Sequence, residues 1–132
     1  MTVFVDTSAF LAVLNADDQH HAQARRVWED LIARGESLVC TNYALVDSFA
    51  LAQHRLGMTA VSTLQEDVLP LLTVEWVDET LHGAGVTALL TANRRRLSLV
   101  DCISFETMRR LGIKTAFTLD SHFAEQGFDG LS

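Results

Sequence analysis

Short apolar runs rich in β-branched residues alternate along this chain with longer segments whose apolar residues recur every three or four positions. The first pattern is typical of buried strands and the second of amphipathic helices. Strands separated by helices usually pair in parallel, because each helix returns the chain to the start of the next strand. The sequence therefore predicts an α/β fold, a three-layer α/β/α sandwich with a central, mostly parallel sheet of four to five strands.

The bounds of the predicted elements follow from these patterns and from residues that begin or end helices. Asn42 is predicted to cap the third helix, and Gly35, Gly57 and Gly112 are helix stop signals. The irregular tail from Ser121 to Ser132 has room for one more short strand. The predicted strands cover residues 2–5, 37–41, 71–77 and 115–119. The predicted helices cover residues 8–14, 20–33, 42–56, 59–68, 78–91 and 99–111.

The chain has the length and composition of one packed domain. Its 132 residues include one proline and seven glycines, which leaves little sequence for disordered linkers, and we expect a single domain over residues 1–132. No run of about 18 apolar residues is present to span a membrane. The first apolar stretch carries Asp6 and lacks the basic lead of a secretory signal. We therefore expect a cytoplasmic protein in which Cys40 and Cys102 are buried free thiols.

The net charge of −7 opposes binding to nucleic acid, because phosphate contacts usually come from basic surfaces. Carboxylates that hold a metal would account for part of this charge, and bound Mg²⁺ would offset it. Some of the ten basic residues are also clustered, although such clusters are more often solvated helix faces than binding sites. The clusters are Arg25–Arg26, Arg94–Arg96 and Arg109–Arg110.

Four acidic residues are candidate site residues, and two of them lie where a parallel sheet would place a ligand site. Asp6 and Asp120 end the first and last clear strands, and ligands bind beyond the carboxyl ends of the strands in such sheets. Asp101 starts the helix of residues 99–111, and Asp47 lies within the helix of residues 42–56. Each also has an ordinary explanation: Asp6 and Asp101 as helix caps, Asp120 as a turn residue, Asp47 as a solvated residue.

The surroundings of these acids favour a metal site. Asp6 and Asp101 are embedded in apolar segments, where an unpaired carboxylate is costly to desolvate. Carboxylates gathered at one sheet edge repel each other unless a cation compensates them. Mg²⁺ prefers oxygen ligands and can activate a water for attack on a phosphodiester. Thr7, Ser8 and Thr118 are candidates for hydroxyls that hold the carboxylates in place.

Four segments of the chain resemble the motifs of PIN-domain proteins, in the order and at the spacing of that family. Each segment carries one of the four acids. They are most similar to the VapC-type toxins of bacterial and archaeal toxin–antitoxin pairs, which are single PIN domains of about this length. The segments are Val5–Leu11, Thr41–Ser48, Leu97–Phe105 with Met108–Ile113, and Thr118–Phe123 with Gly127–Phe128.

This resemblance implies a metal-dependent endoribonuclease that hydrolyses RNA to a 5′-phosphate and a 3′-hydroxyl. It implies that Asp6, Asp101 and Asp120 bind Mg²⁺ or Mn²⁺ and that Asp47 completes the catalytic set. A homodimer and a small antitoxin protein that covers the pocket are further implications of the family. The RNA substrate is not identified by the sequence.

One position departs from the family pattern. Asp47 stands where the family usually has Glu, and Mg²⁺ tolerates little change in geometry, so the shorter carboxylate would bind through water or weaken the site. The alternative is a PIN-like domain without turnover that serves as a binding or scaffolding protein. A receiver domain and a haloacid-dehalogenase-type phosphatase fit less well, because each needs a second acid close to the first, and Thr7 and Ser8 follow Asp6.

Histidines and tryptophans are further candidate site residues. His20 and His21 are predicted to lie at the surface, because neighbours on a helix diverge by about 100° and cannot readily share an ion. His122 either touches substrate phosphate or has a capping or packing role. Trp28 and Trp76 are predicted to be core residues and not platforms for stacked bases, because both lie in apolar segments.

Overall fold

A parallel sheet of five strands forms the centre of the fold. The structure, a computed structural model, describes all 132 residues. The order of the strands across the sheet is β3-β2-β1-β4-β5, every neighbouring pair is parallel, and helices cover both faces, so the predicted architecture is confirmed. The strands are β1 (Thr2–Val5), β2 (Ser37–Thr41), β3 (Thr73–Glu75), β4 (Thr115–Phe117) and β5 (Asp129–Leu131).

Seven α-helices connect and cover these strands, and none of them is both long and apolar enough to cross a membrane. The predicted helix over residues 59–68 is wrong in part, because a π-helical turn (Leu64–Val68) and a 3₁₀ turn (Leu69–Leu71) follow a shorter helix. Pro70 explains the change, since a proline removes a backbone donor and clashes with the preceding turn of an α-helix. The helices are α1 (Thr7–Leu14), α2 (His21–Ala33), α3 (Asn42–Leu56), α4 (Met58–Thr63), α5 (Glu79–Ala92), α6 (Leu99–Leu111) and α7 (His122–Glu125).

Two apolar cores lie on opposite faces of the sheet. Successive side chains of a strand point to opposite faces, so Val3 and Val5 of β1 enter one core and Phe4 enters the other. The first core includes Phe10 of α1, and the second includes Phe105 of α6. Because β1 is covered on both sides, it reads in the sequence as a continuous apolar run.

The ends of several elements differ from the prediction because side chains take over backbone hydrogen bonds there. Thr41, and not Asn42, caps α3: its Oγ1 accepts from the N–H of Ala44 at 3.0 Å, while Asn42 Oδ1 accepts from the N–H of Val77 at 2.8 Å. Strand β4 is shorter than predicted, since the N–H of Leu119 donates to a serine hydroxyl and not to a neighbouring strand.

Trp76 is exposed, so the prediction that it is a core residue is wrong. Strand β3 ends at Glu75, and the Trp76 side chain is 73% exposed instead of lying in the core. Trp28 packs against the first core as expected. The apolar run of residues 71–77 misled the prediction because only its middle is paired in the sheet.

The burial of the two cysteines and of His20 agrees with the sequence, whereas that of His21 does so only in part. Cys40 and Cys102 are buried free thiols, as predicted. Burial raises the pKa of the Cys40 thiol to about 12. His20 is exposed, whereas His21 is half-buried, with its Nδ1 2.9 Å from the carbonyl oxygen of Ala12.

Candidate metal centre

Asp6 lies at the carboxyl end of β1, and the register of the sheet brings it beside Thr118. Val5 pairs with Phe117, so the residues that follow each of them are neighbours. Asp6 caps α1, and its side chain accepts from the hydroxyls of Ser8 at 2.7 Å and Thr118 at 3.0 Å. Both hydroxyls, and the N–H of Ser8, use Oδ2 of Asp6. The other oxygen, Oδ1, has no protein donor.

Asp101 lies in the first turn of α6, held by a reciprocal pair of hydrogen bonds with Ser98. Ser98 is the N-cap, and its Oγ accepts from the N–H of Asp101 at 3.0 Å. The N–H of Ser98 in turn donates to Oδ2 of Asp101 at 3.2 Å. Asp101 is therefore not itself the cap. Its side chain is fixed by one oxygen, which leaves Oδ1 free.

Asp120 and His122 complete a close group at the end of β4. The N–H of Asp120 donates to Thr118 Oγ1, and Oδ1 of Asp120 accepts from the N–H of His122, both at 2.9 Å. His122 Nδ1 lies 3.1 Å from Asp120 Oδ1 and 3.6 Å from Asp101 Oδ2. These contacts do not have hydrogen-bond geometry, and this buried nitrogen has no hydrogen-bond partner.

The electrostatics of the group are those of carboxylates crowded in a buried place. Burial raises the pKa of Asp6 to about 6, against the opposing effect of the Ser8 hydroxyl, and the charges of Asp101 and Asp120 raise it further. Burial also raises the pKa of Asp101, with the nearby Asp120 adding to it and the Ser98 N–H opposing it. A cation among these groups would relieve both the desolvation and the repulsion.

The donor set fits a divalent cation. One atom from each of Asp101, Asp120 and His122 lies within 4.8 Å of the others. Carboxylate oxygens gathered in this way would suit a hard divalent cation such as Mg²⁺, which prefers oxygen ligands. Asp6, Asp101 and Asp120 each use one carboxylate oxygen in a structural hydrogen bond and keep the other free. The partnerless nitrogen of His122 is a further donor.

Asp47 is not drawn into this group. It is half-buried on α3 and forms neither a hydrogen bond nor an ion pair. Thr7 also differs from the expectation for it, since its hydroxyl donates to the backbone oxygen of Ala44 at 3.3 Å and not to a carboxylate. Ser48 donates to the same oxygen at 2.6 Å. Thr7 therefore ties α1 to the first turn of α3.

His122 is the site residue that the sequence left undecided. The sequence signal was present, because an acid at a strand end followed two residues later by histidine can form a turn closed by the acid. Only the tertiary structure shows where that turn aims the imidazole. It brings Nδ1 between the carboxylates of Asp120 and Asp101.

Comparison with known proteins identifies the same family along nearly the whole chain. The sequence pattern of the PIN domain matches residues 3–129. The 23S rRNA-specific endonuclease VapC20 of Mycobacterium tuberculosis is 32% identical over 127 residues, which are 96% of this chain and 95% of that protein.

Solved structures agree with this assignment. The crystal structure of Mycobacterium tuberculosis VapC20, a sarcin–ricin loop cleaving toxin, superimposes with a TM-score of 0.85 at 31% identity, covering 96% of this chain and 95% of that one. FitAcB from Neisseria gonorrhoeae superimposes with a TM-score of 0.72 at 15% identity, covering 100% and 97%, and supports the fold alone. The chain belongs to the PIN domain family.

Proposed function

We propose that this chain is a divalent-cation-dependent endoribonuclease and the toxin of a toxin–antitoxin pair. The observation that carries the proposal is the close group of Asp101, Asp120 and His122, with the buried Asp6 near enough for the charges of Asp101 and Asp120 to raise its pKa. Such a set is suited to a hard cation and to a phosphodiester. The relationship to an rRNA-specific endonuclease over 96% of the chain supports RNA as the substrate.

In this proposal Asp6, Asp101 and Asp120 hold Mg²⁺ or Mn²⁺, and Asp47 completes the catalytic set from α3. A bound cation of this kind supplies an activated water and stabilises charge on the phosphodiester. The Ser8 and Thr118 hydroxyls keep Asp6 oriented, and the Ser98 N–H does the same for Asp101. Cleavage leaves a 5′-phosphate and a 3′-hydroxyl.

The proposed substrate is the sarcin–ricin loop of 23S ribosomal RNA, because VapC20 is described as cleaving that loop. We further propose one domain over residues 1–132, a homodimer in the cytoplasm, and inhibition by a small antitoxin protein. Exposed apolar side chains offer surface for such partners. They include Val46 at 68%, Trp76 at 73% and Leu90 at 72% exposure.

The experiment is cleavage of a 23S rRNA fragment that contains the sarcin–ricin loop. We expect a single major cut in Mg²⁺ or Mn²⁺, no cut in EDTA, and a loss of at least a hundred-fold in rate for Asp101→Asn. Asp67→Asn is the matched control, because Asp67 is exposed and lies outside the acidic group. Cleavage that survives in Asp101→Asn, or in EDTA, would refute the proposal.

A further inference from the structure

Three consecutive arginines lie in the loop that leads into α6, here called the arginine loop (Asn93–Ser98). Arg94, Arg95 and Arg96 are all exposed. Arg94 pairs with Glu125, their atoms Nη1 and Oε2 lying 2.9 Å apart. Arg95 and Arg96 form no ion pair and no side-chain hydrogen bond. Two positive charges are therefore presented to solvent without partners.

The loop lies directly beside the acidic group of the candidate metal centre, which consists of Asp6, Asp101, Asp120 and the neighbouring His122. Ser98, its last residue, donates its N–H to Asp101 at 3.2 Å. Arg96 precedes Ser98 by two residues, so their Cα atoms are at most about 7 Å apart, a distance that an arginine side chain can itself span. On its other side the loop contacts Glu125 of α7, one turn from His122. Both contacts lead to residues of the acidic group.

The loop is also held in place. The Leu97 side chain between the arginines and α6 is 4% exposed and packs in the second core. The N–H of Leu97 donates to the carbonyl of Arg94 at 3.2 Å, closing a turn. Because these contacts fix the backbone, little conformational entropy is lost when the arginines bind a ligand.

The other arginine clusters of the chain differ in their pairing. Arg25 pairs with Glu29, Arg109 with Glu106, and Arg110 lies 4.0 Å from Asp78. Arg95 and Arg96 are thus the only consecutive arginines of which neither has a carboxylate partner. On a chain with a net charge of −7, unpaired cations beside a site for a polyanion supply attraction that the rest of the surface does not.

We propose that Arg95 and Arg96 bind the RNA backbone phosphates that adjoin the scissile phosphate. This inference rests on the proposed function and adds a substrate-binding subsite to the acidic group. Arginine suits the task, because its planar guanidinium donates to two phosphate oxygens at once. The contacts read no base, so they strengthen binding to RNA of any sequence.

The test compares Arg95→Gln/Arg96→Gln with Arg34→Gln/Lys114→Gln. The control removes the same charge from exposed residues that precede β2 and β4, at the amino edge of the sheet, away from the acidic group. Binding of a fluorescein-labelled hairpin RNA with the sarcin–ricin loop sequence is measured by anisotropy, with Asp6→Asn in every protein to prevent cleavage. Cleavage kinetics and Mn²⁺ binding are measured without Asp6→Asn.

We expect the loop variant to bind RNA roughly ten-fold more weakly, as two exposed ion pairs would imply. The slope of log Kd against log salt should fall by about 1.5, because each phosphate contact contributes about 0.7 to 0.9. The loss in kcat/KM should lie mainly in KM, with Mn²⁺ affinity unchanged. The control variant should stay within about two-fold of the parent.

Equal weakening in the two double variants would overturn the inference, since net charge and not the loop would then set affinity. RNA binding that is unchanged in the loop variant, while the parent still cleaves RNA, would overturn it and leave the proposed function standing. A parent protein that neither binds nor cleaves the RNA would overturn both.

Discussion

Asp6 serves the fold and the site at once, and the two roles have opposite energetic signs. Its side chain caps α1 and accepts from two hydroxyls, which stabilises the fold. The residue is only 3% exposed. Its negative charge is therefore poorly solvated and lies near those of Asp101 and Asp120, which opposes folding. A residue that only stabilised the fold would carry no such excess charge. This conflict is typical of a site whose cation completes it.

The pKa of Asp6 predicts that Asp6→Asn stabilises the metal-free protein. A carboxyl whose pKa rises from 3.8 to about 6 on folding favours the folded state below pH 3.8, and this contribution is lost as pH rises through 6. The full difference corresponds to about 3 kcal/mol. Because asparagine can also cap a helix and accept from both hydroxyls, we expect about 1 to 3 kcal/mol of added stability at pH 7.

Urea unfolding in EDTA measures this effect. The gain for Asp6→Asn should shrink between pH 7 and pH 4, where the wild-type carboxyl becomes protonated. Asp67→Asn, at an exposed position, should change stability by less than about 0.5 kcal/mol. A wild type that is more stable than Asp6→Asn at pH 7 in EDTA would show that the buried charge is compensated by the protein itself.

Among individual residues, the sequence identified the acids of the site more reliably than the side chains that contact them. Asp6 and Asp120 were predictable because a polar residue at the end of an apolar strand needs a reason to be there. The role of Thr7 was not, since a hydroxyl beside a carboxylate can equally bond a neighbouring helix, as it does here. Asp47 shows the same limit, because spacing along α3 does not reveal how near its carboxylate comes to the others.

The packing of α5 on α6 determines where Asp101 is held. Gly85 of α5 lies against Ile103 of α6, and a Cβ at this position would overlap the Ile103 side chain, with Cγ1 2.9 Å away. Gly83, two residues earlier in the same helix, faces open space. The two glycines look alike in the sequence, since glycine inside a helix lowers its stability relative to alanine wherever it lies. Only the packed structure separates them.

The glycines give a matched pair of substitutions. Gly85→Ala should destabilise the protein by about 1 to 3 kcal/mol, because Ile103 must move in a packed core. Gly83→Ala should stabilise it by about 0.5 to 1 kcal/mol, since alanine is the better helix former and meets no neighbour. Thermal unfolding of the two variants measures both. Equal and small effects would mean that the α5–α6 contact is looser than described.

For helices and strands, the sequence predicted which kind of element forms better than it predicted where the element ends. The helix over residues 99–111 was predicted to the residue, because Gly112 ends it in a left-handed conformation and the apolar spacing is regular. The strands β3 and β4 were predicted too long, since apolar character continues beyond the residues that find a partner. Trp76 was misassigned for the same reason.

Across the whole molecule, the alternation of strand and helix patterns was enough to predict a parallel sheet covered on both faces. Handedness and steric rules leave few ways to connect such elements, so the acids at the ends of β1 and β4 had to share one edge. The position of α6, which adds Asp101 to that edge, comes from long-range packing that no local pattern encodes.

The molecule's charge distribution separates an active nuclease from a domain that only binds partners. A domain without turnover has no need to keep carboxylates crowded together in a partly buried place, because uncompensated charge destabilises it. The departure at Asp47 leaves this group intact, since Asp47 stands apart from Asp101, Asp120 and His122. An active nuclease therefore requires that these acids bind a cation together.

Calorimetric titration of Mn²⁺ into the wild type, Asp101→Asn and Asp47→Asn tests this most directly. We expect saturable binding to the wild type, at least ten-fold weaker binding to Asp101→Asn, and a change within about three-fold for Asp47→Asn, with all three proteins folded by circular dichroism. Undiminished binding to Asp101→Asn, or no binding to the folded wild type with or without an RNA oligonucleotide, would contradict the assignment of a shared cation site to these carboxylates.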